Sequence, residues 1–182
     1  QLLKFDVVCL QETNIDPEEI FSPSFYDLEG FHSPTLQKPT RSSCKGGGLA
    51  IYVNSDTFDL DAVKVLDYAN DCSSAQTGEL LFIELSTGNK SKNIVIGNFY
   101  RSPSYKPSPF CDNINSRIEQ VLYRGPGKEL ILLGDANIDL LTHETYTPAQ
   151  DLVNLMSNNG LIPVISRPTH ISERFATLID HI

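Results

Sequence analysis

The chain has 182 residues, of which 40% are hydrophobic and 20% are charged, as is typical of a globular domain with a full core. No apolar run approaches the roughly 20 residues needed to span a membrane, and no signal-peptide pattern is present, so we expect an intracellular protein, cytoplasmic or nuclear and not secreted. The net charge of -9 has the wrong sign for holding nucleic acid by bulk electrostatics, but it suits clustered carboxylates that bind a cation.

The four cysteines, Cys9, Cys44, Cys72 and Cys111, show no paired spacing. Neither a zinc site nor a disulfide framework is therefore predicted, which favours a reducing compartment. The chain begins with Gln1 and an apolar strand pattern follows almost at once, which suggests a piece of a longer protein.

The first predicted strand runs from Phe5 to Leu10, and its nearly continuous apolar character favours a central position in a sheet. Glu12 follows it, so an acid lies at a strand end. A lone glutamate is usually a solvated surface residue, and this position alone does not indicate a function. A short helical turn is predicted from Asp16 to Phe21, with Asp16 as its N-cap.

A long connection rich in Ser, Pro, Thr and Lys is predicted over residues 22–45, anchored by Tyr26, Phe31 and His32. Three glycines, at 46–48, then lead into a predicted strand from Leu49 to Val53. A phosphate-binding loop needs glycine, lysine and serine or threonine in a fixed order before a helix, and a dinucleotide site needs spaced glycines after a strand. Neither pattern is present, so we interpret the glycines as a flexible start to the strand.

Three strands are predicted next, over 60–66, 79–85 and 93–100, with a turn at Thr87-Gly88-Asn89 between the last two. The third strand ends in Tyr100 and Arg101. Arg101 is a planar donor suited to phosphate oxygens. Tyr100 is either a functional group at a strand end or a half-buried aromatic residue with a wet hydroxyl.

A helix is predicted near Asp112 to Tyr123, because apolar residues recur there on one face at helical spacing, namely Ile114, Ile118, Val121 and Leu122. A second helix is predicted because a capping box begins at Thr147. We expect this helix to end near Gly160. Its inward positions are Leu152, Val153, Leu155 and Met156. The last predicted elements are a strand from Leu161 to Ile165, a turn from Arg167 to His170, and a strand from Thr177 to Ile182.

Between these helices, four aliphatic residues run into Gly134, and Asp135, Asn137 and Asp139 follow. If the chain stays extended there, Asp135 and Asn137 project to the same side and share a cleft at a strand end, where open α/β sheets bind ligands. A turn, in which Asp and Asn are favoured for local reasons, is an equal alternative from spacing alone. Asp139 is expected to be a surface or turn residue.

Strands outnumber helices, and the hairpin signals argue for mixed pairing. We therefore predict an α/β fold, a two-layered β-sandwich of mixed sheets flanked by helices, formed as one domain over residues 1–182.

Five sequence blocks, taken together and in this order, resemble the endonuclease of non-LTR (LINE-type) retrotransposons. That enzyme belongs to the endonuclease/exonuclease/phosphatase superfamily, which also includes apurinic endonucleases and DNase I. The resemblance spans nearly the whole chain and implies a DNase I-like fold. The blocks are FDVVCLQET at 5–13, GGGLAIYV at 46–53, NFYRSP at 98–103, LGDAN at 133–137 and RPTHISERFATLIDHI at 167–182.

The resemblance implies a Mg²⁺- or Mn²⁺-dependent endonuclease that nicks DNA and belongs to a longer polyprotein with a reverse transcriptase. Glu12 would hold the metal, Asp135 would orient or deprotonate the attacking water, and Asn137 would hold phosphate oxygens. Tyr100 would contact the phosphate, and Asp180 would orient a catalytic histidine. Hard oxygen ligands suit these two ions.

The family's first asparagine would precede this chain, and its catalytic histidine would lie in a Ser-Asp-His block after Ile182. We therefore expect a fragment truncated at both ends, weakly active or inactive by itself. Neither His170 nor His181 is expected to replace that histidine, because His181 alternates with Asp180 along a strand and faces the other way.

Three alternatives remain open from the sequence. A phosphatase or phosphodiesterase of the same superfamily, acting on inositol phosphates or sphingomyelin, would share the glutamate and the Gly-Asp-x-Asn block. A decayed, non-enzymatic remnant is the second. A nucleotide-binding α/β domain is the weakest, since no glycine motif has the required context.

Overall fold

Two packed sheets and two helices form the framework that carries the polar strand ends. The computed structural model describes residues 4–15, 26–37, 39, 46–67, 69–70, 77–88, 92–124, 126–173 and 175–182. The strands are β1 (Val7–Leu10), β2 (Thr35–Gln37), β3 (Leu49–Val53), β4 (Val63–Val65), β5 (Glu79–Leu85), β6 (Ile94–Tyr100), β7 (Glu129–Asp135), β8 (His170–Ile171), β9 (Ala176–Thr177) and β10 (Asp180–His181), and the helices are α1 (Pro107–Arg124) and α2 (Thr147–Asn158).

The described strands form a small antiparallel sheet in the order β1-β3-β2, a larger one in the order β10-β7-β6-β5-β4, and a separate β8-β9 pair. Within the larger sheet only β6 and β7 run parallel, and α1 connects them. A parallel pair needs such a crossover, because the chain must return to the end of the sheet where the first strand started. As a result, β6 and β7 end side by side.

Alternation along β5 and β6 divides the core into two layers. Leu81 and Ile83 face the small sheet and pack with Leu49 and Ile51 of β3. Neighbouring residues point the other way, so Leu80, Phe82 and Phe99 pack with Phe110, Ile114 and Ile118 of α1. The order of layers is small sheet, large sheet, helices. The predicted sandwich of mixed sheets with helices outside is confirmed.

One predicted strand and one predicted helix boundary are wrong for reasons that involve proline. The structure has no strand from Leu161 to Ile165; Pro163 cannot donate to a ladder, and Ile162 and Val164 are 83% and 74% exposed. The α1 helix begins at Pro107, earlier than predicted, because prolines are tolerated in a first turn where their missing N–H groups have no partner to lose.

The predicted capping box at Thr147 is also wrong. Tyr146 is the N-cap of α2, and it makes no side-chain capping hydrogen bond. Pro148 takes one of the first helical positions, which places Thr147 inside the helix rather than before it. Two smaller differences concern strand limits. The segment predicted as a strand over 60–66 begins with a 3-10 turn at Leu60–Ala62. In the segment predicted as a strand over 177–182, only Asp180–His181 pairs with β7.

The three anchors predicted for the long connection all hold it to the framework. Phe31 is buried and bridges Asn54, the His32 Nε2 atom lies 2.6 Å from the Phe58 carbonyl oxygen, and the Tyr26 carbonyl accepts from the Tyr52 hydroxyl at 3.0 Å. The helical turn predicted at 16–21, and residues Asn89, Cys44 and Cys72, lie outside the described residues. None of the helices in the described part of the chain has the length and apolar character needed to cross a membrane.

Candidate active site

Four polar side chains occupy one row across the larger sheet. The backbone register pairs Glu79 with Tyr100, Tyr100 with Asp135, and Asp135 with Asp180. Residues directly opposite one another in a sheet point to the same face, and Tyr100 packs in the core between the two sheets. The row therefore lines the edge where the larger sheet meets the smaller one. Tyr100, Asp135 and Asp180 are three of the residues predicted from strand ends.

Glu12 joins this row from the opposite sheet. It follows β1 with a φ of +53°, an uncommon conformation for a residue with a side chain. The turn brings its Oε1 atom to the Tyr100 hydroxyl, which donates a hydrogen bond to it. The segment after β1 stays paired with the segment before β3. The Thr13 amide donates to the Gly48 carbonyl at 3.1 Å, and the Asn14 amide donates to the Gly47 carbonyl at 2.9 Å.

A buried amide fixes the seam between the sheets just below this row. Asn98 is 1% exposed, and its Nδ2 group donates to the carbonyls of Leu10 at 3.0 Å and Ala50 at 3.2 Å in the small sheet. Its Oδ1 atom accepts from Gln11 Nε2 at 2.6 Å. Our sequence reasoning missed Asn98, although an asparagine inside an otherwise apolar strand requires a specific hydrogen-bonding partner and was a usable signal.

Glu79 is the second acid that the sequence reasoning missed. It is 3% exposed, and its Oε2 atom accepts from the Gly48 amide at 2.7 Å. A Cβ atom on Gly47 would lie 2.7 Å from the Glu79 Oε1 atom, so only glycine admits this carboxylate. The glycines thus do more than start a strand. With Glu12, Tyr100 and the loop at 102–105, they line a cleft of about 280 Å³.

Asp135 and Asn137 meet beside Tyr100, and they do so through a turn, which was one of the two alternatives left open by the sequence. Asn137 has a φ of +49°, so the chain turns after β7. The turn lets the Asn137 amide donate to Asp135 Oδ1 at 2.7 Å and its Nδ2 group donate to Asp135 Oδ2 at 3.0 Å. The same Nδ2 group also donates to the Arg101 carbonyl at 2.9 Å. A phosphate oxygen would therefore compete with Asp135 for this side chain.

Electrostatics set the protonation states of the two central groups. Burial raises the pKa of the Asp135 carboxyl from 3.8 to about 6; Asp180 and Glu12 raise it too, while the Asn137 amide and the Arg101 charge lower it. Burial, followed by the bond to Glu12, raises the pKa of the Tyr100 hydroxyl. At neutral pH Tyr100 is therefore a protonated phenol donor at the cleft, and the neighbouring Asp135 is a carboxylate that is more basic than usual.

Arg101 corrects a prediction, because its side chain does not face the cleft as a phosphate ligand would. It is 3% exposed, and its guanidinium donates to backbone carbonyls rather than to open space. The acceptors are Ala136 at 2.6 Å, Asn137 at 2.7 Å, Ser102 at 3.1 Å and Tyr105. The sequence motif suggested that the Arg101 N–H groups donate to a phosphate, whereas in the structure they donate to backbone carbonyls of the protein.

The remaining candidates separate as their strand positions predict. No described residue donates a hydrogen bond to the Asp180 carboxylate, so it can still accept one from a histidine. His181 faces the opposite side of the sheet, beside Phe99 and Leu132, and burial lowers its pKa. His170 is exposed and stacks on Phe175, at a centroid distance of 6.0 Å. Asp139 accepts from the amides of Leu141 and Leu178, so it has a structural role in the turn.

The oxygen groups of the cleft fit a magnesium-type ion. Mg²⁺ in proteins is commonly held by one or two carboxylates, with water and substrate phosphate completing its shell. Glu12 is exposed at the cleft and supplies such a carboxylate, whereas one oxygen of Glu79 is committed to the Gly48 amide. Among the described residues, no group of three or more His, Cys, Asp or Glu side chains forms a closed metal cage.

Solved structures with the same fold cover almost the whole chain. The endonuclease domain of TRAS1, a telomere-specific non-LTR retrotransposon, shares 18% identity at a TM-score of 0.63, over 98% of this chain and 71% of that one. The AP endonuclease LMAP from Leishmania major shares 15% identity at a TM-score of 0.73, over 98% and 69%. The human Nocturnin catalytic domain, with a bound sulfate anion, shares 14% identity at a TM-score of 0.61, over 98% and 68%.

No curated protein sequence matches the chain. The model of the endonuclease/exonuclease/phosphatase family matches it over residues 1–182. That family comprises hydrolytic nucleases and phosphodiesterases. The chain therefore belongs to the endonuclease/exonuclease/phosphatase family of enzymes.

Proposed function

We propose that this protein is a divalent-metal-dependent endonuclease that hydrolyses phosphodiester bonds and nicks DNA. The observation that carries the proposal is the hydrogen bond from Tyr100 to Glu12 across the seam, with Asp135 next to Tyr100 in the sheet. It supports a site in which Glu12 would bind the cation, Tyr100 would donate to a phosphate oxygen and Asp135 would act as the base. Those three groups are what an in-line attack of water on a phosphodiester requires.

The roles of the side chains follow from their contacts. Asp135 accepts the proton of the attacking water, because its raised pKa of about 6 leaves it ionised yet unusually basic at neutral pH. Asn137 holds both carboxylate oxygens of Asp135 and so fixes their direction. Tyr100 stays protonated, and its single O–H, which Glu12 accepts here, would turn to a phosphate oxygen once Glu12 holds the cation.

Glu12 would hold Mg²⁺ or Mn²⁺, with Glu79 behind it as a buried negative charge. When bound, such an ion neutralises charge on the phosphate and on the leaving oxygen. Asp180 would orient a histidine, and no described histidine is hydrogen-bonded to Asp180 or to Asp135. We therefore expect the 182-residue chain to nick DNA slowly.

The test is the conversion of supercoiled plasmid to nicked circles by the purified chain with Mg²⁺, with and without added imidazole. Imidazole in solution can take the position that Asp180 is free to orient, so we expect it to accelerate nicking about 10-fold or more, within the range of general acid–base catalysis. We expect no nicking by Glu12→Gln or Asp135→Ala, and none in EDTA. Asp112→Asn, an exposed acid on α1, is the matched control.

Plasmid that remains supercoiled in every condition, with protein that is folded and stabilised by Mg²⁺, would contradict the DNA substrate. The same preparations are then given inositol phosphates and sphingomyelin, because the cleft chemistry suits any phosphate ester. Turnover of either, lost in Asp135→Ala, would move the substrate to the phosphatase branch of the family. A folded chain that Mg²⁺ does not stabilise and that hydrolyses none of these substrates would indicate a remnant without enzymatic activity.

We further propose that the parent protein is a retrotransposon polyprotein, in which nicking primes reverse transcription. The support is the set of five sequence blocks, together with a fold shared with the TRAS1 endonuclease domain. The flanking reading frame tests this directly. A downstream Ser-Asp-His block followed by a reverse transcriptase is the expected finding, and a frame lacking both would refute the proposed context.

A further inference from the structure

The guanidinium of Arg101 is buried among carbonyl oxygens of the chain. It is 3% exposed and donates to Ala136, Asn137, Ser102 and Tyr105, all through their backbone. Burying a full charge is costly unless most of its donors are satisfied, and a planar fork with five N–H groups meets that demand better than an ammonium group. The environment is therefore specific for arginine.

The contacts are concentrated on one turn, which carries two proposed catalytic residues. The Arg101 side chain binds the carbonyls of Ala136 at 2.6 Å and Asn137 at 2.7 Å. Its own backbone completes the connection, since its amide donates to the Asp135 carbonyl at 2.9 Å and its carbonyl accepts from Asn137 Nδ2 at 2.9 Å. Residue 101 thus contacts each of the three residues from 135 to 137.

The turn needs to be held from outside. Asn137 has a φ of +49°, a left-handed conformation disfavoured for residues with a Cβ atom. The same conformation lets Asn137 bind both oxygens of the Asp135 carboxylate. If the turn relaxed, Asp135 would lose its orienting donors and turn away from the cleft.

We infer that Arg101 is a positioning residue, which holds the turn at 135–137 in the conformation that lets Asn137 orient the Asp135 carboxylate beside Tyr100. Its link to catalysis rests on the proposed hydrolytic function. The guanidinium donates to backbone carbonyls, and Arg101 acts through those of Ala136 and Asn137.

The first experiment needs no activity. Amide hydrogen exchange is measured by NMR for the wild type, Arg101→Met and Arg101→Lys. We expect the Asn137 amide to exchange at least 10-fold faster in Arg101→Met, while the amides of β5 exchange as in the wild type. Arg117→Met, on the outer helix α1, is the matched control and should leave Asn137 unchanged. If Arg101→Met does not fold, the decision rests on Arg101→Lys, which retains the charge but not the fork and should also speed exchange of the Asn137 amide. An unchanged Asn137 amide would overturn the inference.

The second experiment is a double-mutant cycle on nicking, in the presence of imidazole. Arg101→Met is expected to lower kcat about 10- to 100-fold with little change in KM, and Asn137→Ala to lower it similarly. Because both act through one turn, the double variant should be no slower than the slower single variant. Losses that multiply would refute positioning through the turn. If the wild type does not nick DNA, the proposed endonuclease function is refuted. The role of Arg101 is then decided by the hydrogen exchange of the Asn137 amide alone.

Discussion

The Asp135 carboxyl is a group whose surroundings favour its proposed chemistry over the stability of the fold. Burial raises its pKa from 3.8 to about 6, so the folded chain keeps a proton that the unfolded chain has already released between these values. Stability therefore falls as pH rises from about 4 to 6, and the loss is complete above 6. A base that is costly to ionise in the fold is a common feature of hydrolytic sites.

Asp135→Asn should abolish nicking and at the same time stabilise the chain. The amide keeps an acceptor for the Asn137 backbone N–H but carries no charge to desolvate. We expect a gain of about 1 kcal/mol at pH 8 in EDTA, discounted for partial exposure, and no gain at pH 4. Urea unfolding at both pH values is the measurement. A gain that is equal at the two pH values would show that charge is not its cause.

Tyr100→Phe removes the donor that orients Glu12 across the seam. Loss of such an outer partner commonly costs about 10- to 100-fold in metal affinity or activity, and we expect a change of that size in the Mg²⁺ concentration for half-maximal nicking. Tyr52→Phe, whose hydroxyl bonds the Tyr26 carbonyl on the other side of the small sheet, is the control and should leave the Mg²⁺ dependence unchanged. An unaltered dependence in Tyr100→Phe would contradict the orienting role.

Individual residues differed in how far the sequence revealed them. Asp135 and Asp180 fall in recognisable blocks, and the register brings them opposite each other as that reading implies. Glu79 was missed because its importance comes from lying opposite Tyr100 on the neighbouring strand. The residue pattern of a single strand does not show which residue lies opposite it. Arg101 was misassigned for the same reason, since the carbonyls around it belong to residues up to 36 positions away.

Among the elements, β7 controls the site through the residue that precedes Asp135. A Cβ atom on Gly134 would lie 2.1 Å from the Phe99 carbonyl oxygen of β6, which is backbone and cannot swing aside. The close approach of these two strand ends is what sets Tyr100 beside Asp135.

Gly134→Ala should therefore destabilise the chain by about 3 kcal/mol, at the upper end of overpacking costs, and abolish nicking even at temperatures where it remains folded. Gly88→Ala is the control, because nothing lies within 4 Å of a Cβ atom there; its φ of +80° alone opposes a side chain, at a cost of about 1–2 kcal/mol. Denaturant unfolding and plasmid nicking are measured on both variants. Full activity in folded Gly134→Ala would show that the strand ends tolerate separation.

Element types were easier to predict than their limits. The periodicity of α1 and the apolar run of β7 were sufficient, because burial on one side of a helix or within a sheet leaves a strong pattern. The segment at 161–165 misled because Ile162, Val164 and Ile165 favour strands locally. Whether such a segment pairs depends on a neighbouring edge and on Pro163, and only the assembled sheet decides that.

At the scale of the whole molecule, the acidic charge would shape how the proposed DNA substrate binds. With a net charge of -9, this chain repels phosphates except where a cation intervenes. We expect affinity for duplex DNA in EDTA to be weaker than about 10⁻⁴ M at physiological salt, the weak limit of nonspecific binding. Mg²⁺ should strengthen it in wild type but not in Glu12→Gln. Fluorescence anisotropy measures both, and tight binding in EDTA would contradict this account.

The Asn98 seam makes catalysis dependent on two layers that do not have to melt together. Glu12 follows β1 of the small sheet, where β3 is the only partner of β1 among the described strands, while Tyr100 and Asp135 belong to the larger sheet. Local opening of β1 would separate these residues without disturbing the core beneath α1. Inactivation should then occur at a lower temperature than global unfolding, so that heat produces a population that is folded by circular dichroism yet enzymatically silent. Coincident inactivation and unfolding curves would show instead that the sheets open as one unit.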